Sequence, residues 1–317
     1  MIKIRHPKLE EIARDYTEFL TDRLISDKMF SPEDKDILQG LISCKVEDLR
    51  STDQSPQLNG AIDRHTYKAY TGSQNEYDLD GKRQRLSYWL VNQLGLTVCP
   101  YCNHNYVFTR DKDKLSGRAE LDHFFPKSTS KRQKKDETDN EFLERVYGDV
   151  ETKPYPHLAL SFYNLIPSCP TCNHLKGSKR IGLNPYEGGF ENSHLFIVEN
   201  LVKLIISGEQ SQVKLVKNVL YTGTQEPDPH KNIEVFRLNE LYSQHGALVR
   251  DLITKAEAYH EGYYESLRDS FKELGIGSNK DLDRLVFGNY VAPEDFGKQP
   301  LSKFTRDILL QLGVDLS

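Results

Sequence analysis

Cys99-Pro100-Tyr101-Cys102 and Cys169-Pro170-Thr171-Cys172 share the pattern C-P-x-C, and together they hold four of the chain's five cysteines. No other feature of the sequence constrains the fold as much. A C-x-x-C turn aims two thiolates at one point. A second turn of the same spacing completes a tetrahedron, for which zinc is the usual guest at roughly 2.3 Å from each sulfur. Four sulfurs fill the shell, so the expected zinc is structural and has no open position for water. It would fasten residue 99 to residue 172 and close the long stretch between them. The N-terminal MIKIRHPKLEEI has no apolar core of a signal peptide. The expected compartment is therefore the cytoplasm, where paired cysteines more often hold metal than form disulfides. The bland alternative is four reduced thiols buried as small hydrophobes. Cys44 stands alone in an apolar helical pattern and reads as core.

With 317 residues, 37% hydrophobic and 28% charged, the chain has the composition of a soluble globular protein with room for more than one compact unit. No run approaches the roughly 18 apolar residues of a spanning helix, so no membrane partner is expected. The net charge of −5 argues against a dedicated non-specific nucleic-acid binder. Basic residues are nonetheless clustered locally. Lys127, Lys131, Arg132, Lys134 and Lys135 share a stretch without an acid, and Lys176, Lys179 and Arg180 follow the second cysteine pair. Such clusters attract phosphates; the first reads equally well as a solvated loop.

Residues 1–95 read as an N-terminal helical region. Leu9, Ile12, Ala13, Tyr16, Phe19 and Leu20 recur at helical steps. Ser31-Pro32-Glu33-Asp34 has the capping serine, first-turn proline and acids of a helix start. Residues 51–62 read as a loop and 82–94 as a further helix. Residues 96–190 form the core region, in which 97–110 and 118–125 suit short strands and 128–153 make a charged surface insertion. Residues 191–317 read as mostly helical, with a possible β-hairpin from VKLIIS and QVKLVK. A last stripe of Leu301, Phe304, Ile308 and Leu312 is closed by Gly313.

Inside the cysteine clasp lie Glu120-Leu121-Asp122-His123-Phe124-Phe125-Pro126-Lys127 and Tyr163-Asn164-Leu165-Ile166-Pro167-Ser168, the latter running into Cys169-Pro170-Thr171-Cys172-Asn173-His174-Leu175-Lys176-Gly177. Asp122 offers a hard anionic oxygen suited to Mg²⁺, and Asn173 offers an amide oxygen to the same ion. His123 titrates near neutrality and could take a proton from water. Lys127, Lys176 and Lys179 are candidate phosphate contacts, as is the start of the helix after Cys169. Together these residues make a site for hydrolysing a phosphodiester. His174, a helical neighbour of Asn173, reads as a surface residue. His157, His104 and Asn105 read as packing.

Asp122-His123, Asn164, and Cys169-Pro170-Thr171-Cys172-Asn173 with Lys176-Gly177 resemble the HNH (ββα-metal, or His-Me finger) nucleases, in particular the branch braced by two C-x-x-C pairs. The resemblance covers roughly residues 97–187. It implies a two-stranded ribbon followed by a helix, so the expected fold class is mainly α with a small α+β core. That core would be a central ββα-metal HNH motif braced by a four-cysteine zinc site and flanked by helical regions. It also implies that Asp122 and Asn173 bind a catalytic Mg²⁺ or Mn²⁺, that His123 is the general base, and that Asn164 braces the loop that aims His123. The expected products carry 5′-phosphate and 3′-hydroxyl ends, with DNA favoured over RNA as substrate. Two departures stand out. Asn173 occupies the position of the family's last histidine, and the stretch from His123 to Asn164 is longer than a compact motif needs. A wider resemblance, including NPYE after the core and LSKFTRDIL near the end of the chain, is to nuclease subunits that accompany ATPases in bacterial anti-phage systems such as Septu and certain retrons. It implies an ABC- or AAA-type ATPase partner. The same residues also admit a non-catalytic zinc module that binds nucleic acid or a protein partner.

Overall fold

The computed structural model describes residues 1–49, 62, 64–71, 75–107, 119–149, 151, 153–208, 212–222, 229–259, 261–275 and 277–316. The expected loop at 51–62, apart from residue 62, and residues 108–110 and 118 of the expected strand regions 97–110 and 118–125 lie outside these residues. The described chain is mainly helical with three small two-stranded sheets. No described helix is long and apolar enough to cross a membrane. Two compact units are present, one of Arg5–Leu96 with Val107–Glu187, the other of Met1–Ile4, Thr97–Tyr106 and Gly188–Ser317.

The first unit begins with α1 (Leu9–Ser26), which buries Ile12, Ala13, Tyr16, Leu20 and Leu24 along the expected stripe. Tyr16 meets Phe162 edge-on at 5.6 Å and donates from its hydroxyl to the Leu160 carbonyl. Ser31 caps the chain with a capping box to Asp34, and α2 (Lys35–Ile42) follows. Cys44 lies just beyond α2, buried in the core. Then come α3 (Val46–Leu49) and α4 (Arg64–Thr71). The expected helix at 82–94 needs correction at its start. Lys82–Gln84 (β2) pairs with Tyr77–Leu79 (β1), and α5 spans only Leu86–Gln93. The cause is Asp80-Gly81, with φ of 52° and 70°, the two left-handed residues that a tight hairpin turn requires.

Strand β3 (Glu120–His123) pairs antiparallel with β4 (Leu165–Ser168), placing Asp122 opposite Ile166 and His123 opposite Leu165. The insertion between them carries α6 (Asp139–Tyr147), started by a Thr138–Glu141 capping box. Its charges pair partly with one another, Arg145 with Glu137 and Lys131 with Asp149. After β4, Pro170 opens α7 (Pro170–Lys176), which ends at Gly177 with φ 50°. Ribbon and helix are thus consecutive around the second cysteine pair.

In the second unit β5 (His194–Val198) pairs with β6 (Val213–Lys217). The expected hairpin arm VKLIIS lies instead in α8 (Leu201–Ser207), set off by Asn200 and Gly208, both left-handed. Its short run of β-branched residues fits either state by pattern alone, and these boundaries decide for the helix. Next come α9 (His230–Val235), α10 (Leu238–Ser243), α11 (Gly246–Ala258), α12 (Glu261–Glu273), α13 (Asn279–Phe287) and α14 (Ser302–Gln311). Phe304 and Ile308 of α14 are buried as the stripe requires. Its end closes with Gly313 N–H on the Leu310 carbonyl and Val314 N–H on that of Leu309, the Schellman pattern. The LSKFTRDIL segment packs inward. Lys303 and Asp307 form a fully buried pair; Lys303 Nζ donates to the His194 carbonyl, and Asp307 accepts from Phe196 N–H.

Candidate functional site

The Sγ atoms of Cys99, Cys102, Cys169 and Cys172 lie within 4.8 Å of one another, and all four residues are buried. No disulfide links them. Local backbone shapes each pair. Cys99 N–H donates to the Asn105 carbonyl, and Asn103 N–H, at a φ of 50°, donates to that of Cys99. Cys169 caps α7 and its sulfur accepts from Cys172 N–H at 3.5 Å. A tetrahedral site with ~2.3 Å bonds has sulfur–sulfur edges of about 3.8 Å, so this donor set fits a zinc ion with a closed shell.

A cavity of about 290 Å³ is lined by Asp122, His123, Lys127, Ser130, Asn173 and Ser178, among others. The register of β3 puts Glu120 and Asp122 on one face, and α7 brings Asn173 to it. Asn173 Nδ2 donates to Glu120 Oε2 at 2.6 Å, a bond that uses the amide nitrogen and not Oδ1. Asp122 and His123 sit at 3% and 4% exposure, so the site is recessed.

His123 is held from several sides. Its Nε2 is 3.0 Å from the Ala159 carbonyl oxygen. A carbonyl only accepts, so the ring proton sits on Nε2 and the lone pair on Nδ1. Burial first, then the Lys127 ammonium, holds its pKa well below the ordinary histidine value, leaving a neutral imidazole at neutral pH. Lys127 Nζ is 3.1 Å from Nδ1. Burial likewise lowers Lys127 to about 8, although Asp122 opposes the shift.

Asn164 is fully buried and grips the segment after His123. Its Oδ1 accepts from Phe125 N–H at 2.7 Å, and its Nδ2 donates to the Phe125 and Leu158 carbonyls. The NPYE segment supports this turn in its own way. Asn184 Nδ2 donates to the Tyr163 carbonyl and Tyr186 hydroxyl to that of Leu165, the two neighbours of Asn164.

The expected phosphate contacts divide. Lys127 reaches the cavity. Lys176 does not fit the expectation, because it is 0% exposed. Its ammonium donates to the His123 carbonyl and lies 3.5 Å from Asp122 Oδ2, which makes it an internal tie for the Asp122-His123 pair. Lys179 is exposed and donates to the Leu175 carbonyl; it does not line the cavity. His174 is exposed, and His157 is buried beside Tyr155.

Two site residues escaped the sequence reading. Glu120 was within reach, since two positions before Asp122 on a strand means the same face. Tyr67 was not. It arrives from α4, meets His123 edge-on with ring centroids 4.4 Å apart, and carries Lys127 Nζ 4.2 Å from its ring centre. No local pattern announces such a tertiary contact. No family model, curated protein or solved structure matches the chain.

Proposed function

We propose that this chain is a metal-dependent endonuclease of the HNH type that hydrolyses nucleic-acid phosphodiester bonds. One observation carries the reading: Asp122, His123, Lys127 and Asn173 line one cavity, and the base candidate has its proton fixed on the far ring nitrogen by Ala159. His123 Nδ1 takes the proton of the attacking water. The water oxygen bonds to phosphorus, and the P–O3′ bond breaks; the departing oxygen takes a proton from solvent, leaving 5′-phosphate and 3′-hydroxyl ends. Asp122 and the Asn173 amide oxygen would hold Mg²⁺ or Mn²⁺, which when bound neutralises charge on the phosphate and leaving oxygen. Asn164 and Lys176 hold the backbone around the base in place. The zinc of the four cysteines stays structural, its shell being full.

The reading extends to DNA before RNA as substrate, and to a cytoplasmic effector of bacterial anti-phage defence controlled by an ATPase partner. The support for this extension is the NPYE and LSKFTRDIL resemblance and the acidic net charge, which keeps a restrained nuclease off bulk nucleic acid. The test is a cleavage assay with plasmid, single-stranded DNA and tRNA in Mg²⁺ or Mn²⁺. Zinc-loaded His123→Ala should lose about 10²-fold or more of the rate, the range of a general base. Cutting that survives the substitution would sink the reading. Failure of every substrate, with the product of a neighbouring ATPase gene added, would favour the non-catalytic zinc module.

A further inference from the structure

His123 has one lone pair to offer, at Nδ1, because Nε2–H is committed to the Ala159 carbonyl. In the structure that lone pair is already taken. The Lys127 ammonium donates to it across 3.1 Å while resting on the face of Tyr67. A lone pair that accepts from an ammonium cannot also accept from water, so the base in this state is silent. The same ammonium borders the cavity together with the hydroxyl-bearing Ser128, Thr129, Ser130 and Ser178, a wall of donors suited to an anion.

We propose that Lys127 is a plug on His123 that a phosphodiester anion draws off. The inference rests on reading His123 as the base. Its physical basis is the difference between two partners. An ammonium bound to a neutral imidazole has a charge–dipole contact, whereas bound to a phosphate it has a charge–charge one and shorter, stronger hydrogen bonds. Lysine suits the exchange because its charge rides on a flexible stem with three rotatable donors. Tyr67 keeps a cation near its ring in either position, at modest strength. Substrate arrival and arming of the base are then one event, and an empty site does not activate water.

The test uses the full zinc-loaded chain with ¹⁵N-labelled histidine, at one fixed pH, with the His123 signals assigned by their loss in His123→Ala. The probes are an uncleavable phosphorothioate dinucleotide and, separately, Mg²⁺ alone. The dinucleotide should move the Nδ1 resonance toward its position in Lys127→Met, a substitution that keeps the stem and removes the charge. No movement with the dinucleotide, or equal movement with Mg²⁺ alone, overturns the proposal. Kinetics supply a second arm. The KM of Lys127→Met for nucleic acid should rise about tenfold, the equivalent of one lost charged contact. An unchanged KM would mean that the ammonium does not meet the phosphate and would overturn the plug. The spectroscopic arm does not need turnover. A chain that cuts nothing but shows the shift refutes the nuclease and keeps the plug; a nuclease without the shift does the reverse.

Discussion

Asn164 shows how one buried carboxamide fixes a loop. It satisfies the Phe125 N–H through Oδ1, and the Phe125 and Leu158 carbonyls through Nδ2, while its own carbonyl accepts from Phe124 N–H. Aspartate has the same shape, keeps the first bond and loses both donations. Asn164→Asp therefore aims a carboxylate at two carbonyl oxygens in a buried site, which should cost about 2–4 kcal/mol at pH 8. Repulsion and burial raise the pKa of that carboxyl in the folded state above its unfolded value of about 3.9. The folded variant then binds the extra proton first. The stability that this proton brings is present at low pH and lost as pH rises through the folded pKa. The deficit in Tm against wild type should be smaller at pH 5 than at pH 8. An equal deficit at both would show that the carboxamide donors are not what holds this turn.

At the level of elements, the same physics decides which parts of the chain could be read in advance. Gly313 was legible because only a left-handed residue permits the α14 terminus. At its φ of 80°, Gly313→Ala should lose about 1 kcal/mol, a drop of roughly 2 °C in Tm. Gly246→Ala, at a helix start with no strained φ and no atom near the added Cβ, should be neutral or slightly stabilising. Equal effects from the two would mean that backbone strain is not the cause. The Ser31 cap and the cysteine pairs were legible for the same local reasons, and so was the strand that carries Asp122 and His123. The β1–β2 turn and the α6 cap were also written locally, as Asp-Gly and as Thr138 with Glu141, although flanking charges hid them. Helix α8 was ambiguous by pattern, since a short β-branched run fits strand or helix. The inward turn of Lys176 could not be read at all. Basic side chains by default face water, and only the buried Asp122 and His123 carbonyl explain this one. Tyr67 was equally hidden, because its role exists only once α4 packs beside β3.

For the whole molecule, the two expected metals separate by what their loss does. The zinc-type donor set is four buried cysteine sulfurs, whereas the proposed hydrolytic set would be one carboxylate and one amide oxygen. Hard-oxygen sites with two protein ligands exchange readily, and thiolate cages do not. An ion in this cage would also carry folding free energy, since ligands scattered in the unfolded chain bind no shared ion. Mild EDTA should therefore abolish cleavage at nearly constant Tm, with Mg²⁺ restoring it. Mercurial displacement with a zinc indicator should release one zinc per chain and lower stability by several kcal/mol, on the order of 10 at most, and Mg²⁺ should not reverse that loss. Cys169→Ser should mimic the second treatment, and Cys44→Ala, outside the cluster, should keep the zinc. The stretch closed by the ion, from Cys102 to Cys169, includes Asp122, His123 and Asn164, so folding and cutting should fail together when the zinc leaves. A zinc-free chain that unfolds at the wild-type Tm would break this coupling, and it would leave the cysteines as packed thiols.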